Sequence, residues 1–170
     1  MTAIGEKIQI RQVTREDLPA LEWEGEYRHF RRLFADAYHR AERGEAVLWI
    51  AELPEVGVIG QLFVQIGNHR NNSSENGGGK AYIYGFRVRA QYRDHGIGSR
   101  LLETAEADLA SRGFHRVALN VGRDNNDARR LYERFGYRVV APEPGIWSYV
   151  DHRGRRQYVQ EPAWRMEKDI

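Results

Sequence analysis

Apolar and polar positions alternate along this chain in two periods, one of strands and one of helices. Residues 8–13 read as a first strand. Thr14 then opens a short helix, with Asp17 three positions on as a capping-box-like partner and Leu18 and Leu21 facing inward. Pro19 falls in its first turns, where the missing N–H costs least. The clearest helical stripe covers residues 26–43, through Tyr27, Phe30, Phe34, Ala37, Tyr38 and Ala41, and Gly44 ends it. Residues 46–53 and 58–66 form a hairpin that turns through 54–57. Residues 67–80 (GNHRNNSSENGGGK) are polar and glycine-rich, a loop between strands. Tyr82, Tyr84, Phe86 and Val88 alternate on the next strand, 81–88.

From Ser99 to Arg112, Leu101, Leu102, Ala105 and Leu109 recur at helical spacing, with Glu103, Glu106 and Asp108 mostly on the other side. A short apolar strand follows at 117–121. Asn125 or Asn126 caps a further helix that runs to about Arg134, with Ala128, Leu131 and Phe135 inward and Gly136 as its stop. A strand from 137, a turn at 143–145, a hairpin of 147–150 with 155–159, and a last strand at 164–168 complete the chain. Strands alternating with helices make an α/β protein, and 170 residues without internal repeats make one domain, 1–170.

Composition narrows the function. Lys and Arg number 26 against 24 Asp and Glu, a net charge of +2, and the basic residues are scattered among acidic ones, which argues against nucleic acid as a partner. There is no cysteine, so disulfides, thiolate metal sites and a cysteine nucleophile are excluded. The six histidines include no H-E-x-x-H and no close cluster, so no metal is expected. The first residues lack an apolar signal core, and no apolar run reaches the roughly 18 residues of a membrane span. A cytoplasmic protein with no membrane association is the expectation.

The chemistry concentrates where strand 81–88 meets the helix at Ser99. The connecting loop carries Arg93, Asp94, His95, Gly96, Ile97 and Gly98. A strand, a glycine loop and a helix N-terminus present unpaired backbone N–H groups to an anion, and glycine lets a bulky phosphate approach the backbone. No Gly-Lys-Ser/Thr follows, so this is not a P-loop, and the third glycine of a dinucleotide fingerprint is missing. Downstream, Asn125, Ala128, Leu131, Tyr132, Gly136 and Tyr137 form a second pattern. Together the two patterns, Arg-x-x-Gly-x-Gly and Asn-x-x-Ala with Leu-Tyr and Gly-Tyr, resemble the GCN5-related N-acetyltransferase (GNAT) superfamily of acyl-CoA-dependent N-acyltransferases, strongly over about 80–140.

The resemblance implies a mixed, mostly antiparallel sheet flanked by helices, with a splayed central strand pair that holds the pantetheine arm of coenzyme A. It implies acetyl-CoA as the acyl donor. Its pyrophosphate would lie on Arg93, His95, Gly96, Ile97, Gly98 and Ser99, its pantetheine against backbone near Phe86 and Val88, and Asn125 would tie down the coenzyme or the helix start. Tyr132 would be the general acid that protonates the departing thiolate, and backbone N–H near Val88 would meet the oxyanion. The family's usual proline after this strand is Ala90 here.

The general base and the acceptor stay open, with Glu24, Glu26, His29 and Tyr84 as candidates. The expected acceptor is a primary amine, attacking directly in a ternary complex. The alternatives are a protein N-terminal or longer-chain acyltransferase, or a catalytically inactive CoA-binding protein. Residues 67–80 are either surface or a flap over the acceptor. Trp147, Tyr149 and Tyr158 on the late hairpin, beside charged residues, suit an interface, and relatives often dimerise, so a homodimer is expected.

Overall fold

The structure is a computed structural model that describes residues 4–67 and 79–170. In chain order its strands are β1 (Gln9–Gln12), β2 (Ala46–Leu53), β3 (Gly57–Gln65), β4 (Lys80–Val88), β5 (Arg116–Gly122), β6 (Arg138–Glu143), β7 (Ile146–Val150), β8 (Arg156–Gln160) and β9 (Ala163–Asp169). Its α-helices are α1 (Ile4–Lys7), α2 (Arg31–Glu42), α3 (Ile97–Ser111) and α4 (Asn126–Arg134). Seven strands make one sheet in the order β1-β2-β3-β4-β5-β9-β6, and β7 pairs with β8 apart from it. Neighbours are antiparallel except β4 and β5, which run parallel. This is the mixed, mostly antiparallel sheet flanked by helices that the sequence led us to expect. Among the described residues no helix is long and apolar enough to cross a membrane.

Apolar side chains close the sheet on both faces. On one, α3 buries Ile97, Leu101, Leu102, Ala105 and Leu109 against Ile59, Ile83, Leu119 and Met166. Each of these leucines contributes about 2 kcal/mol by burial. Glu106 pins the same helix to the sheet by accepting from Tyr137 Oη at 2.9 Å and Lys168 Nζ at 2.6 Å. On the other face, α2 and the 3-10 segment Arg15–Glu22 bury Leu21, Phe34 and Ala37 over Leu48, Ile50 and Phe63. Thr14 starts that segment, its backbone N–H and Oγ1 both donating to Asp17 Oδ2, at 2.7 and 2.9 Å.

Two element starts differ from the sequence reading. The helix expected from residue 26 begins at Arg31, because Trp23, Glu24 and Gly25 all adopt positive φ and break the chain's right-handed path. Tyr27 and Phe30 then leave the helical stripe and serve a loop, with Arg28–Phe30 as a single 3-10 turn. The helix expected from Ser99 begins two residues earlier at Ile97, whose side chain is drawn into the core. Gly98 therefore lies in the first helical turn.

The central strands part as the fold class requires. Pairing of β4 with β5 covers only Lys80↔Arg116 to Ile83↔Leu119. Beyond it β4 stays with β3 and β5 stays with β9. The cause is a bulge, in which Gly85 and Phe86 on β4 face the single residue Leu62 on β3. Gly85 takes φ +60, and a Cβ there would sit 3.1 Å from Phe63 Cδ2, so glycine is needed. The buried Gln61 fixes the bulge by donating from Nε2 to the Gly85 carbonyl at 3.0 Å.

Candidate active site

At the α3 end of this fork, Gly96 is the helix N-cap at φ +78, with no side-chain cap. The first-turn N–H groups thus have no partner among the described residues. A Cβ at Gly96 would meet nothing within 4 Å, so the space over the helix terminus is open. Arg93, Asp94 and His95 are exposed, and Asp94 is left-handed at φ 65, a conformation that aspartate tolerates. Arg93 also folds back to donate from Nε to the Val88 carbonyl at 3.2 Å. Ser99 is half-buried behind Gly98.

Gly98 joins this terminus to the fork. A Cβ there would lie 3.6 Å from both Leu131 Cδ2 and Phe86 Cζ. Phe86, on the splayed half of β4, has its ring centroid 6.1 Å from that of Tyr132. Tyr132 is 7% exposed and is held on its other side by Tyr137 at 6.0 Å. Its hydroxyl makes no hydrogen bond to the described residues, and burial raises its pKa well above the ordinary phenol value. It therefore keeps its proton at any physiological pH. Asn125 is the N-cap of α4, its Oδ1 accepting from Ala128 N at 3.2 Å. The structure thus brings Phe86, Gly98 and Tyr132 together, with Val88 and Arg93 beside them.

The base and acceptor candidates lie elsewhere. Glu24 is exposed and bound by both ends of Arg89, at 2.7 and 3.1 Å, and this hydrogen-bonded pairing lowers its pKa. Such a carboxylate is a weaker base than a free one. Glu26 is exposed. His29 sits among aromatic rings, 4.2 Å from Phe30 and 6.0 Å from Tyr149. Tyr84 stands on the sheet face opposite α3, edge-on to Phe63 and 3.5 Å from Arg40 Nη2. No hydrogen bond, ion pair or ring contact joins any of the four to Tyr132.

Three groups escaped the sequence reading. Arg87 places its guanidinium 3.5 Å from the Tyr27 ring centroid and 4.9 Å from that of Trp23, and donates to the Leu21 carbonyl at 3.0 Å. Burial lowers its pKa to about 10, which leaves it cationic at neutral pH. Arg89 stacks on Trp23 at 4.8 Å while holding Glu24. These two arginines latch the loop at 23–30 to β4. The third group is Tyr82 with Asn120, whose Nδ2 donates to Tyr82 Oη at 3.1 Å. A polar residue inside the apolar run VALNV was the signal for Asn120, and the Tyr82/Tyr84 alternation for its partner.

The β7–β8 hairpin lies over the same loop. Phe30 contacts Tyr149 at 5.0 Å and Trp147 at 6.2 Å. Two of the aromatics behind the dimer expectation are thus engaged within their own domain, while Tyr158 and Ile146 stay exposed at 81% and 72%. The proposed flap falls mostly on 68–78, outside the described residues. Among the described residues no group of three or more His, Cys, Asp or Glu side chains is arranged to hold a metal ion.

Comparison with known proteins agrees with this geometry. Residues 9–137 match the Acetyltransferase (GNAT) family. The chain is 46% identical over 89 residues to N-alpha-acetyltransferase 40 of Saccharomyces cerevisiae, covering 46% of this chain and 31% of that protein. It is 28% identical over 108 residues to the uncharacterized N-acetyltransferase YycN of Bacillus subtilis, covering 63% of this chain and 65% of that one. The chain thus spans less than two thirds of either relative's length. Its fold is similar to that of Arabidopsis thaliana NAA60 in complex with acetyl-CoA, with a TM-score of 0.71 at 23% identity over 96% of this chain and 98% of that one.

Proposed function

Because the chain belongs to the acetyltransferase (GNAT) family, we propose that it transfers an acetyl group from acetyl-CoA to a primary amine, within a ternary complex and without a covalent enzyme intermediate. The observation that carries this is the fork itself. Gly98, next to the open helix N-cap at Gly96, lies against Phe86 on the splayed half of β4, and Phe86 lies against the proton-bearing Tyr132, so the three groups are neighbours. The pyrophosphate rests on N–H groups around Gly96, Gly98 and Ser99, with Arg93 adding positive charge and His95 a hydrogen-bond donor. The pantetheine runs along β4 beside Phe86 and Val88, as a strand would. Asn125 keeps α4 capped, so Tyr132 is held at the thioester end.

The amine lone pair attacks the thioester carbon, and backbone N–H near Val88 meets the oxyanion. The C–S bond then breaks, its electron pair leaves on sulfur, and Tyr132 gives sulfur its proton. The nitrogen releases one proton to solvent, and Tyr132 takes one back.

A peptide α-amine is the acceptor class best supported. The yeast relative is by name an N-alpha-acetyltransferase. An α-amine ionises near 7.7–8.0, against about 10.4 for lysine, so a sizeable fraction is neutral without a strong base. That suits a site in which Glu24 is held by Arg89. The test is thiol release from acetyl-CoA over a panel of free-amine peptides, lysine side-chain analogues and small amines, with longer acyl-CoAs in parallel. With no cysteine in the chain, a thiol reagent reads only the released coenzyme. Acetyl-CoA binding without thiol release from any amine would refute catalysis in favour of a coenzyme-binding role.

A further inference from the structure

Glu106 lies on α3, roughly 12 Å along the helix from Gly98. Its carboxylate accepts from two other elements at once. Tyr137, just before β6, donates from Oη at 2.9 Å, and Lys168, on β9, donates from Nζ at 2.6 Å. Both bonds end on a charged acceptor, and the lysine nitrogen also lies 5.7 Å from the Tyr137 ring centroid and 5.8 Å from that of Phe135. Burial first, and the Glu106 carboxylate second, raise the pKa of Tyr137, so the phenol keeps the proton that it donates.

The same tyrosine is the neighbour of Tyr132. Gly136, at φ +95, ends α4 and turns the chain back on it. The Tyr137 N–H then donates to the Tyr132 carbonyl at 3.0 Å, and the two rings meet edge-on at 6.0 Å and 61°. On its other side Tyr132 meets Phe86 at 6.1 Å, a contact between rings with no directional bond. The Tyr132 hydroxyl has no hydrogen bond to the described residues, so its place is inherited from the neighbours of its ring. A proton donor has to come within about 3 Å of the atom that it serves, and a misplacement of about 1 Å can cost a hundredfold in rate. Of the two rings beside Tyr132, that of Tyr137 is the one fixed by a side-chain hydrogen bond, and this bond runs to α3, whose N-terminus is the proposed pyrophosphate site.

We infer that Glu106 and Tyr137 are positioning residues, whose hydrogen bond ties α3 to the end of α4 and so sets where Tyr132 holds its proton relative to a coenzyme seated on α3. The inference rests on the acetyl-transfer reading above, with Tyr132 as its acid. Donor and acid are then registered against one helix, whatever amine enters. Losing the bond leaves the coenzyme site and the Tyr132 ring in place, but Tyr132 then packs against a Tyr137 ring that nothing pins.

The experiment uses the full chain, acetyl-CoA and the best amine of the panel above, read by thiol release. Tyr137→Phe keeps the ring and should lower kcat by about threefold or more, while the KM for the amine and the Kd for acetyl-CoA stay within about twofold. On a Tyr132→Phe background there is no proton to place, so the same change should lower kcat by less than about twofold. A pair that only supports the fold would lower the melting temperature and act alike on both backgrounds. Glu106→Gln, which retains an oxygen for the phenol, should keep a kcat at least about threefold above that of Glu106→Leu. Should Tyr137→Phe fold poorly, or Tyr132→Phe be too slow to read, the two Glu106 variants decide the matter. A kcat loss under about threefold for Tyr137→Phe, a loss of about twofold or more on the Tyr132→Phe background, or Glu106 variants closer than about threefold would overturn this assignment alone. Near wild-type turnover in Tyr132→Phe would overturn the general-acid role, and a wild type that binds acetyl-CoA yet releases no thiol with any amine would overturn acetyl transfer; either takes this assignment with it.

Discussion

Replacing Tyr132 with phenylalanine separates chemistry from packing more cleanly than any other change to this site. The hydroxyl has no hydrogen bond to the described residues, while the ring contacts Phe86 at 6.1 Å and Tyr137 at 6.0 Å and remains in the variant. The stability change should therefore stay under about 1 kcal/mol, a melting shift of no more than about 2–4 °C. If the phenol passes its proton to the departing thiolate, kcat and kcat/KM should fall together by about tenfold to ten-thousandfold, or roughly 1.4–5.5 kcal/mol of barrier. Affinity for acetyl-CoA should hardly change. The raised pKa makes an isolated phenol a poorer acid, but a thiolate formed in the same desolvated fork has its own pKa raised, so the proton is still wanted there. The sign is definite for pH as well. A phenol whose pKa is raised keeps its proton below its ordinary value of about 10, so no rate loss below that pH should trace to Tyr132. Thiol-release kinetics on the folded variant, beside its melting curve and calorimetric acetyl-CoA affinity, make the test. Near wild-type turnover would refute the general-acid role.

Four further outcomes are expected. Gly98→Val should abolish acetyl-CoA binding in calorimetry and leave the fold largely intact, since a Cβ there makes only ordinary contacts at 3.6 Å, whereas a side chain at Gly96, at φ +78, would also strain the backbone; unchanged affinity would remove the helix terminus from the site. Gly145→Ala would put a Cβ 1.8 Å from the Glu161 carbonyl oxygen, so it should displace the β7–β8 hairpin and raise the KM for the amine while leaving acetyl-CoA binding intact, which steady-state kinetics would read. Asp17, whose hydrogen bonds from Arg11 lower its pKa from 3.8 to about 2, stabilises the fold above pH 4 and loses that effect as pH falls toward 2. Asp17→Asn should thus cost about 1–2 kcal/mol in denaturant melts at pH 7, and the gap to wild type should close between pH 4 and 2. If the exposed Ile146 and Tyr158 pair two copies, sedimentation at micromolar concentration should show a species of about twice 19.8 kDa; a monomer would assign the hairpin to its own domain alone.

The stretch proposed to hold the coenzyme could be read in advance because its chemistry is local and carried by backbone. Arg93 to Ser99 is one contiguous stretch, and a glycine before an amphipathic helix declares an open N-terminus whatever the rest of the chain does. Tyr132 was singled out by the family resemblance, through a pattern that also takes in the Asn125 cap and Leu131 of the same short helix. The fork was expected from family resemblance, but the residues that hold its bulge were not, since they are Gly85 at φ +60 and Gln61 from another strand. The early start of α3 was hidden as well, because the pull of the core on Ile97 is a tertiary effect.

The base and acceptor candidates resisted reading for the opposite reason: their surroundings are set by side chains that meet only after strands are in register. Glu24 looks like a candidate base in one dimension and becomes an arginine's partner only when residue 89 arrives, 65 positions later. Asn120 looks like an interruption in an apolar strand until Tyr82, 38 positions earlier, accepts its N–H. The break at Trp23, Glu24 and Gly25 hid the loop further, since the helical stripe through Tyr27 and Phe30 continues smoothly in sequence across a segment that is not helical in space. That stripe reflects real burial, but against Arg87 and the β7–β8 hairpin and not along one helix. Since β7–β8 forms outside the main sheet and meets the loop through aromatic rings, changes in either element can alter this face of the sheet without passing through the turn between β4 and α3.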